Sequence, residues 1–405
     1  MNHPADDPTD PESITHRQAT RRLAVLALAG FLAVMTIGLP LPVIPLYVGH
    51  KLAFGNVLVG LSVGIQFLAT IMTRGFAGRQ ADQRGARPVM LRGICFCGCS
   101  GLLLILSALL PASPVVRLLV LIASRLVLGF GESQMIVGLM SWGIGVVGQA
   151  RSATALAWSG MALYGSIAAS APLGFWLYHQ GGMAVIGVAV IGAPVLAAFL
   201  MYPIPGVMPH QGERTPFWRV LGSIWQAGLG VMLQGVGFAT IGAFVSLDFV
   251  THHWPGTGLA LSCFGGAFVL VRVFCGHFPN RFGGLPVAMI SMMVEAIGQG
   301  TLCLAPSALV ALLGAGITGA GCSMVFPGFG VEIVKRVSPR VRATALGGFA
   351  AFQDLAYGLT GPVTGLAATS FGYPSVFAIG AGCALVGVLI AAAMRRGALG
   401  WSAAA

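Results

Sequence analysis

Along the chain, apolar residues gather into runs of about 20, the length at which an α-helix crosses roughly 30 Å of bilayer hydrocarbon. Short breaks rich in glycine, proline and arginine separate them. The runs fall at 23–48, 57–77, 89–110, 118–142, 154–178 and 183–202, then at 220–249, 258–278, 286–305, 308–331, 343–369 and 374–394. Between the two sets lies PIPGVMPHQGERTPFWR, residues 203–219, whose prolines and charges cannot cross lipid and which reads as a cytoplasmic linker. The pattern predicts an all-α membrane protein of twelve transmembrane helices in two six-helix bundles, 1–202 and 220–405, with a disordered tail over 1–16.

Composition agrees: 56% of the 405 residues are hydrophobic, only 8% are charged, and the mean hydropathy is +0.87. A soluble fold of this length would need a far more polar surface. The net charge of +11 is a topology signal. Arginines crowd the loops on the side that holds both termini, whereas the opposite loops carry Lys51 and Arg117 alone, so both termini are expected in the cytoplasm of a bacterial plasma membrane. No clustered basic face suits nucleic acid. The acidic opening MNHPADDPTDPE and the long run after it do not fit a cleavable signal.

Enzyme motifs are sparse and lack context. GLSVG at 60–64 matches a nucleophile elbow and GIGVVG at 143–148 a dinucleotide loop, but each lies in an apolar helical run with no strand before it. No phosphate-cradling Gly-Lys-Ser/Thr loop is present, so neither an enzyme nor an ATP-driven pump is expected. In CFCGC, Cys97 points away from the face shared by Cys95 and Cys99, and no histidine is near. Packing residues, with no metal, cofactor or disulfide, are expected there and elsewhere.

Internal repetition is more informative. Residues 60–89 align without gaps to 258–287, setting Arg74 on Arg272, Phe76 on Phe274, Gly78 on Gly276, Gly85 on Gly283 and Pro88 on Pro286. A second register sets Gly129, Gly131, Ser133 and Gly138 on Gly319, Gly321, Ser323 and Gly328, and Pro172 on Pro362. Two halves repeated in the same orientation are a transporter architecture whose substrate site lies near the midplane.

These features resemble the major facilitator superfamily over nearly the whole chain. GRQADQRGAR supplies Gly78, Asp82, Gly85 and Arg87 of that family's signature after the second helix, with one arginine moved to Arg84. The second-half copy GHFPNRFGGL keeps Gly276, Arg281 and Gly283 but has Asn280 for the acid; Glu332, close to Arg336, is expected to replace it. The fourth-helix signature matches Arg125, Gly129 and Gly131. In the fifth helix SAPLG keeps only the proline and Gly174 of the exporters' segment, and TGPVTG at 360–365 is closer. The pattern looks most like bacterial members grouped loosely with sugar-efflux and multidrug carriers. The resemblance implies alternating access, with the signature residues gating the cytoplasmic side. On the residues alone, glycines permit close helix approach and Asp82 can accept bonds from arginines and a helix N-terminus.

Candidate site residues follow from charge at membrane depth, where it is costly and marks function. Arg125, Gly129 and Glu132 share one face, the two charges roughly 10 Å apart along the helix. That spacing leaves room for a ligand or proton, or holds a static pair. Asp354, Tyr357, Gly358 and Gly361 share a face of the eleventh helix, and the repeat sets Asp354 opposite Tyr164. The resemblance adds Thr36, Gln66, Gln234 and Phe238 on cavity-lining helices. Glu295 and Gln299 share a face of the ninth helix with no assigned role, and Asp248 with His252 form either an external gate or a wet surface pair. The expected function is proton-coupled export of a small solute by a monomer; import by symport is the alternative, and a receptor lacks any sizeable signalling domain.

Overall fold

In the computed structural model, residues 16–148, 151–206, 217–337 and 342–397 are described. The expected tail and most of the linker lie outside them. The described residues form helices α1 (His16–Gly38), α2 (Asn56–Arg84), α3 (Ala86–Leu109) and α4 (Pro114–Val147). Ser152–Met201 follows, divided into α5 and α6 at Gly181 and Gly182, whose φ/ψ of −160°/21° and 67°/−156° leave the helical region. The second half supplies α7 (Phe217–Thr251), α8 (Leu259–Cys275), α9 (Gly284–Cys303), α10 (Ala308–Arg336), α11 (Arg342–Phe371) and α12 (Tyr373–Arg395). Nine helical stretches among the described residues are long and apolar enough to cross a bilayer, one of them holding both α5 and α6. α8 is shorter, at 17 residues.

Local chemistry sets the breaks. Gly85 and Gly283, aligned by the repeat, adopt φ of 89° and 93° at the starts of α3 and α9, a left-handed turn that favours glycine. α10 breaks at Met324 because Pro327 has no N–H to offer the Ser323 carbonyl. The Arg272 guanidinium donates to that carbonyl instead, at 2.6 Å. The expected loop at 78–84 is corrected: α2 stays helical to Arg84, and the turn is Gly85 alone.

The chain forms two compact units. One gathers the residues up to Leu39, Ala69–Ile167, and those from Gln180 to the end of α6. Its core includes Leu26, Met90, Met135 and Trp142, all essentially fully buried. The other joins Pro40–Leu68 and Ala168–His179 to everything described from α7 onward, around Val231, Phe329, Phe349 and Ala391. In this second unit Gly60 and Gly64 of α2 lie against Gly361 and Gly358 of α11, backbone to backbone. Ser262 of α8 donates to the Ala168 carbonyl of α5 at 2.8 Å. Tyr373 and Thr369 meet Asn56. Within this unit the segments of α2 and α5 thus pack against α11 and α8.

Candidate functional site

Arg125 is fully buried on α4, and among the described residues none of its three guanidinium nitrogens has a hydrogen-bond partner. Glu132, two turns on, is 5% exposed, and the two charges interact at a distance rather than through a hydrogen bond. Thr70 of α2, which the sequence reading missed, donates to the Gly129 carbonyl at 3.1 Å and to Glu132 Oε2 at 3.3 Å. A threonine on a helix face gives no periodic signal, so only packing reveals it. The guanidinium presents donors two turns from a carboxylate that accepts from the Thr70 hydroxyl. Such a group can bind an anionic or hydrogen-bond-accepting ligand while the acid takes up a proton.

Around Glu132, α3 packs against α4 through glycine. A Cβ at Gly131 would lie 2.8 Å from both the Cys97 nitrogen and the Gly93 carbonyl oxygen. The Cys97 thiol faces Glu132 and also Thr36 of α1, which places Thr36 beside the acid–thiol pair. Arg92 of α3 bonds Gln134 and lies 5.4 Å over the Phe76 ring, a cross-link that sequence reading did not single out.

The second unit holds a different set. Tyr357 of α11 stands edge-on to Phe238 of α7 and to Phe67 of α2, with ring centroids 4.9 and 5.1 Å apart. Gln353 donates to Gln234 Oε1 at 3.3 Å. Asp354 and Gln66 are buried in the same unit. On the same helix as Asp354, Gly358 and Gly361 are filled by close contact with α2.

At the end nearer the termini, Asp82 and Arg84 are exposed on the last turn of α2. Arg87 donates to the Tyr202 carbonyl at 2.9 Å and covers its ring, anchoring the end of α6. The close-approach role expected for Gly78 is not seen, since a Cβ there would meet nothing within 4 Å. In the second half Glu332 pairs with Lys335 at 3.0 Å and Arg336 at 2.7 Å, and accepts from the Gly284 N–H at the start of α9. Gly276 touches only its own preceding turn, and Arg281 lies over the adjacent Phe282 ring. Asp248 and His252 divide the expectation for them: the acid is buried, while the histidine, 3.3 Å away, is half exposed and stacked on Trp254.

The sequence matches the Major Facilitator Superfamily over residues 26–229 and 227–399, so the chain belongs to that family of transporters. It is similar to an uncharacterized MFS-type transporter of Salmonella typhimurium, 44% identical over 95% of this chain and 99% of that one. An uncharacterized MFS-type transporter of Burkholderia pseudomallei is 40% identical over 93% of each chain. Among solved structures, a D-xylose–proton symporter superposes with a TM-score of 0.72 at 16% identity, covering 91% of this chain and 97% of that one. A nucleoside transporter gives 0.71 at 16%, over 92% and 99%. At such identity the likeness concerns the fold: twelve helices in two pseudo-symmetric bundles.

Proposed function

We propose that this transporter is a proton-coupled antiporter that exports a small solute across the bacterial plasma membrane by alternating access. The observation that carries the reading is the buried Arg125, whose guanidinium has no hydrogen-bond partner among the described residues, two turns from the buried Glu132. A charge at that depth is retained for function. Substrate engages the guanidinium, Glu132 and Asp354 exchange protons, and Tyr357, Phe238, Gln234, Gln66 and Tyr164 supply the remaining contacts. The carrier works as a monomer of two bundles, 1–202 and 220–405, with both termini cytoplasmic, and uses no nucleic acid partner. Asp82, Arg84 and Arg87 with Gly78 and Gly85, and Glu332 with Gly276 and Arg281, gate the cytoplasmic side.

The test is transport by inside-out and right-side-out vesicles under an imposed pH gradient, screened across drugs, sugars and small metabolites. Gradient-driven accumulation in inside-out vesicles supports export; accumulation only in right-side-out vesicles makes the protein a symporter. Asp82→Asn should slow either process while leaving folding intact, and wild-type rates in that variant reduce the α2 end to a topology anchor.

A further inference from the structure

Glu295 is fully buried on α9, and among the described residues its carboxyl oxygens meet no polar partner but the Cys322 thiol. The helices around it are cut back to make room. Gly237 of α7 has its missing Cβ on Glu295 Oε1, and Gly321 of α10 has its missing Cβ on the Glu295 backbone. One turn along α9, Gln299 donates to the Gly237 carbonyl at 2.9 Å and accepts from Thr240 at 3.3 Å. Its Oε1 also lies 2.6 Å from where Gly380 of α12 would carry a Cβ. Three helices therefore present glycine to Glu295 and Gln299, two of them to the side chains and one to the backbone.

The repeat explains the placement. Carried along α3 and α9, the register that sets Gly85 on Gly283 sets Cys97 on Glu295; the register that sets Gly131 on Gly321 sets Glu132 on Cys322. Packing agrees with that extension, because Gly138 closes on Met90 and its counterpart Gly328 closes on Ala288, the residue aligned with Met90. Each bundle thus holds one acid facing one thiol: Glu132 with Cys97 in the first, Glu295 with Cys322 in the second. The acid and the thiol have exchanged helices. Thr36 attends the thiol in the first case and Gln234 in the second.

One difference decides the chemistry. The position matching Arg125 is Ala315, so the second acid has no buried cation. The titratable groups facing Glu295 are Cys322 on α10 and Cys383 on α12; α7 offers only Gly237, Thr240 and Gln234. Arg281, Glu332, Lys335 and Arg336 belong to segments that meet α9 at its Gly284 end, roughly 16 Å away at 1.5 Å per residue. A fully buried carboxylate with no cation beside it gives up its charge by taking a proton.

We propose that Glu295 is an occluded proton-binding site in the C-terminal bundle, pseudo-symmetric to the Glu132 site, which loads and releases its proton when α7 and α10 part from α9. It holds whatever solute is carried and in either direction of transport. The probe is the proton itself, read by infrared spectroscopy of the purified full-length protein. Wild type at neutral pH should show a protonated-carboxyl stretch that Glu295→Gln lacks, that is unmoved by sodium, and that shifts slowly on transfer to deuterated water. An identical carboxyl region in wild type and Glu295→Gln, a band replaced by carboxylate on adding sodium, or an immediate deuterium shift would each overturn the proposal. Should Glu295→Gln fail to fold, the wild-type protein is treated with a hydrophobic carbodiimide, which adds to protonated carboxyls, and mapped by peptide mass spectrometry. An adduct at Glu295 that declines as pH rises supports the site; an unmodified Glu295 at acid pH overturns it.

Discussion

The α3–α4 and α9–α10 pairs are built on one plan and carry their acids differently. In both, a glycine of the later helix lies on the backbone of the earlier one, Gly131 at Cys97 and Gly321 at Glu295. In both, a left-handed glycine starts the earlier helix. The acid is on α4 in one pair and on α9 in the other, each facing a thiol. Backbone approach tolerates no side chain larger than hydrogen at the crossing point, so the glycines keep their places. A side chain reaching into the space beside the crossing can come from either helix. What separates the pairs is Arg125, whose counterpart is Ala315: the first pair has a cation beside its acid and the second does not.

That difference can be broken most forcefully at Arg125. Arg125→Ala should abolish transport and lower stability, because it leaves the buried Glu132 without the cation it interacts with two turns away. Thermal unfolding in detergent and vesicle flux measure both; unchanged flux would make the cation structural. Glu132→Gln comes next. Gradient-driven transport should fall by about 100-fold or more, the loss typical of removing a proton-transfer group, while downhill exchange in proteoliposomes persists. Equal loss of both modes would put Glu132 in substrate binding instead of coupling.

The shared plan is probed by crowding it. Gly131→Ala and Gly321→Ala should each destabilise by about 1–3 kcal/mol, and by similar amounts, as read from melting in detergent. A large effect at one and none at the other would end the equivalence of the two crossings. Thr70→Val is the mildest change: losing one hydroxyl bond to Glu132 costs about 0.5–1.5 kcal/mol. Its signature is a shifted pH profile of transport with near-normal maximal rate, and an unmoved profile would assign Thr70 to the Gly129 carbonyl alone.

Much of this was legible beforehand, for identifiable reasons. Span positions follow from the length of apolar runs, and the repeat from glycines that backbone contact cannot spare. Arg125 and Glu132 stood out because charge in an apolar helix is costly. Thr70, Phe67 and Arg92 were hidden, since a threonine, a phenylalanine or an interfacial arginine on a membrane helix is ordinary until its neighbour on another helix is known. The glycines of α11 share a face with Asp354 along the sequence, and only packing shows that close contact with α2 fills their positions.

The sequence by itself determined the membrane class, the helix order, the pseudo-symmetry and the buried charges, because each is a property of hydropathy, spacing or self-similarity along one chain. Only the tertiary structure decided which side chains meet. It drew residues 40–68 and 168–179 into the unit formed by the second half, kept α2 helical through Asp82 to Arg84, and brought Glu295 beneath Gly237 and Gly321. Those outcomes depend on contacts between segments far apart in sequence, where a neighbour's missing Cβ or freed carbonyl sets the geometry and no local pattern records it.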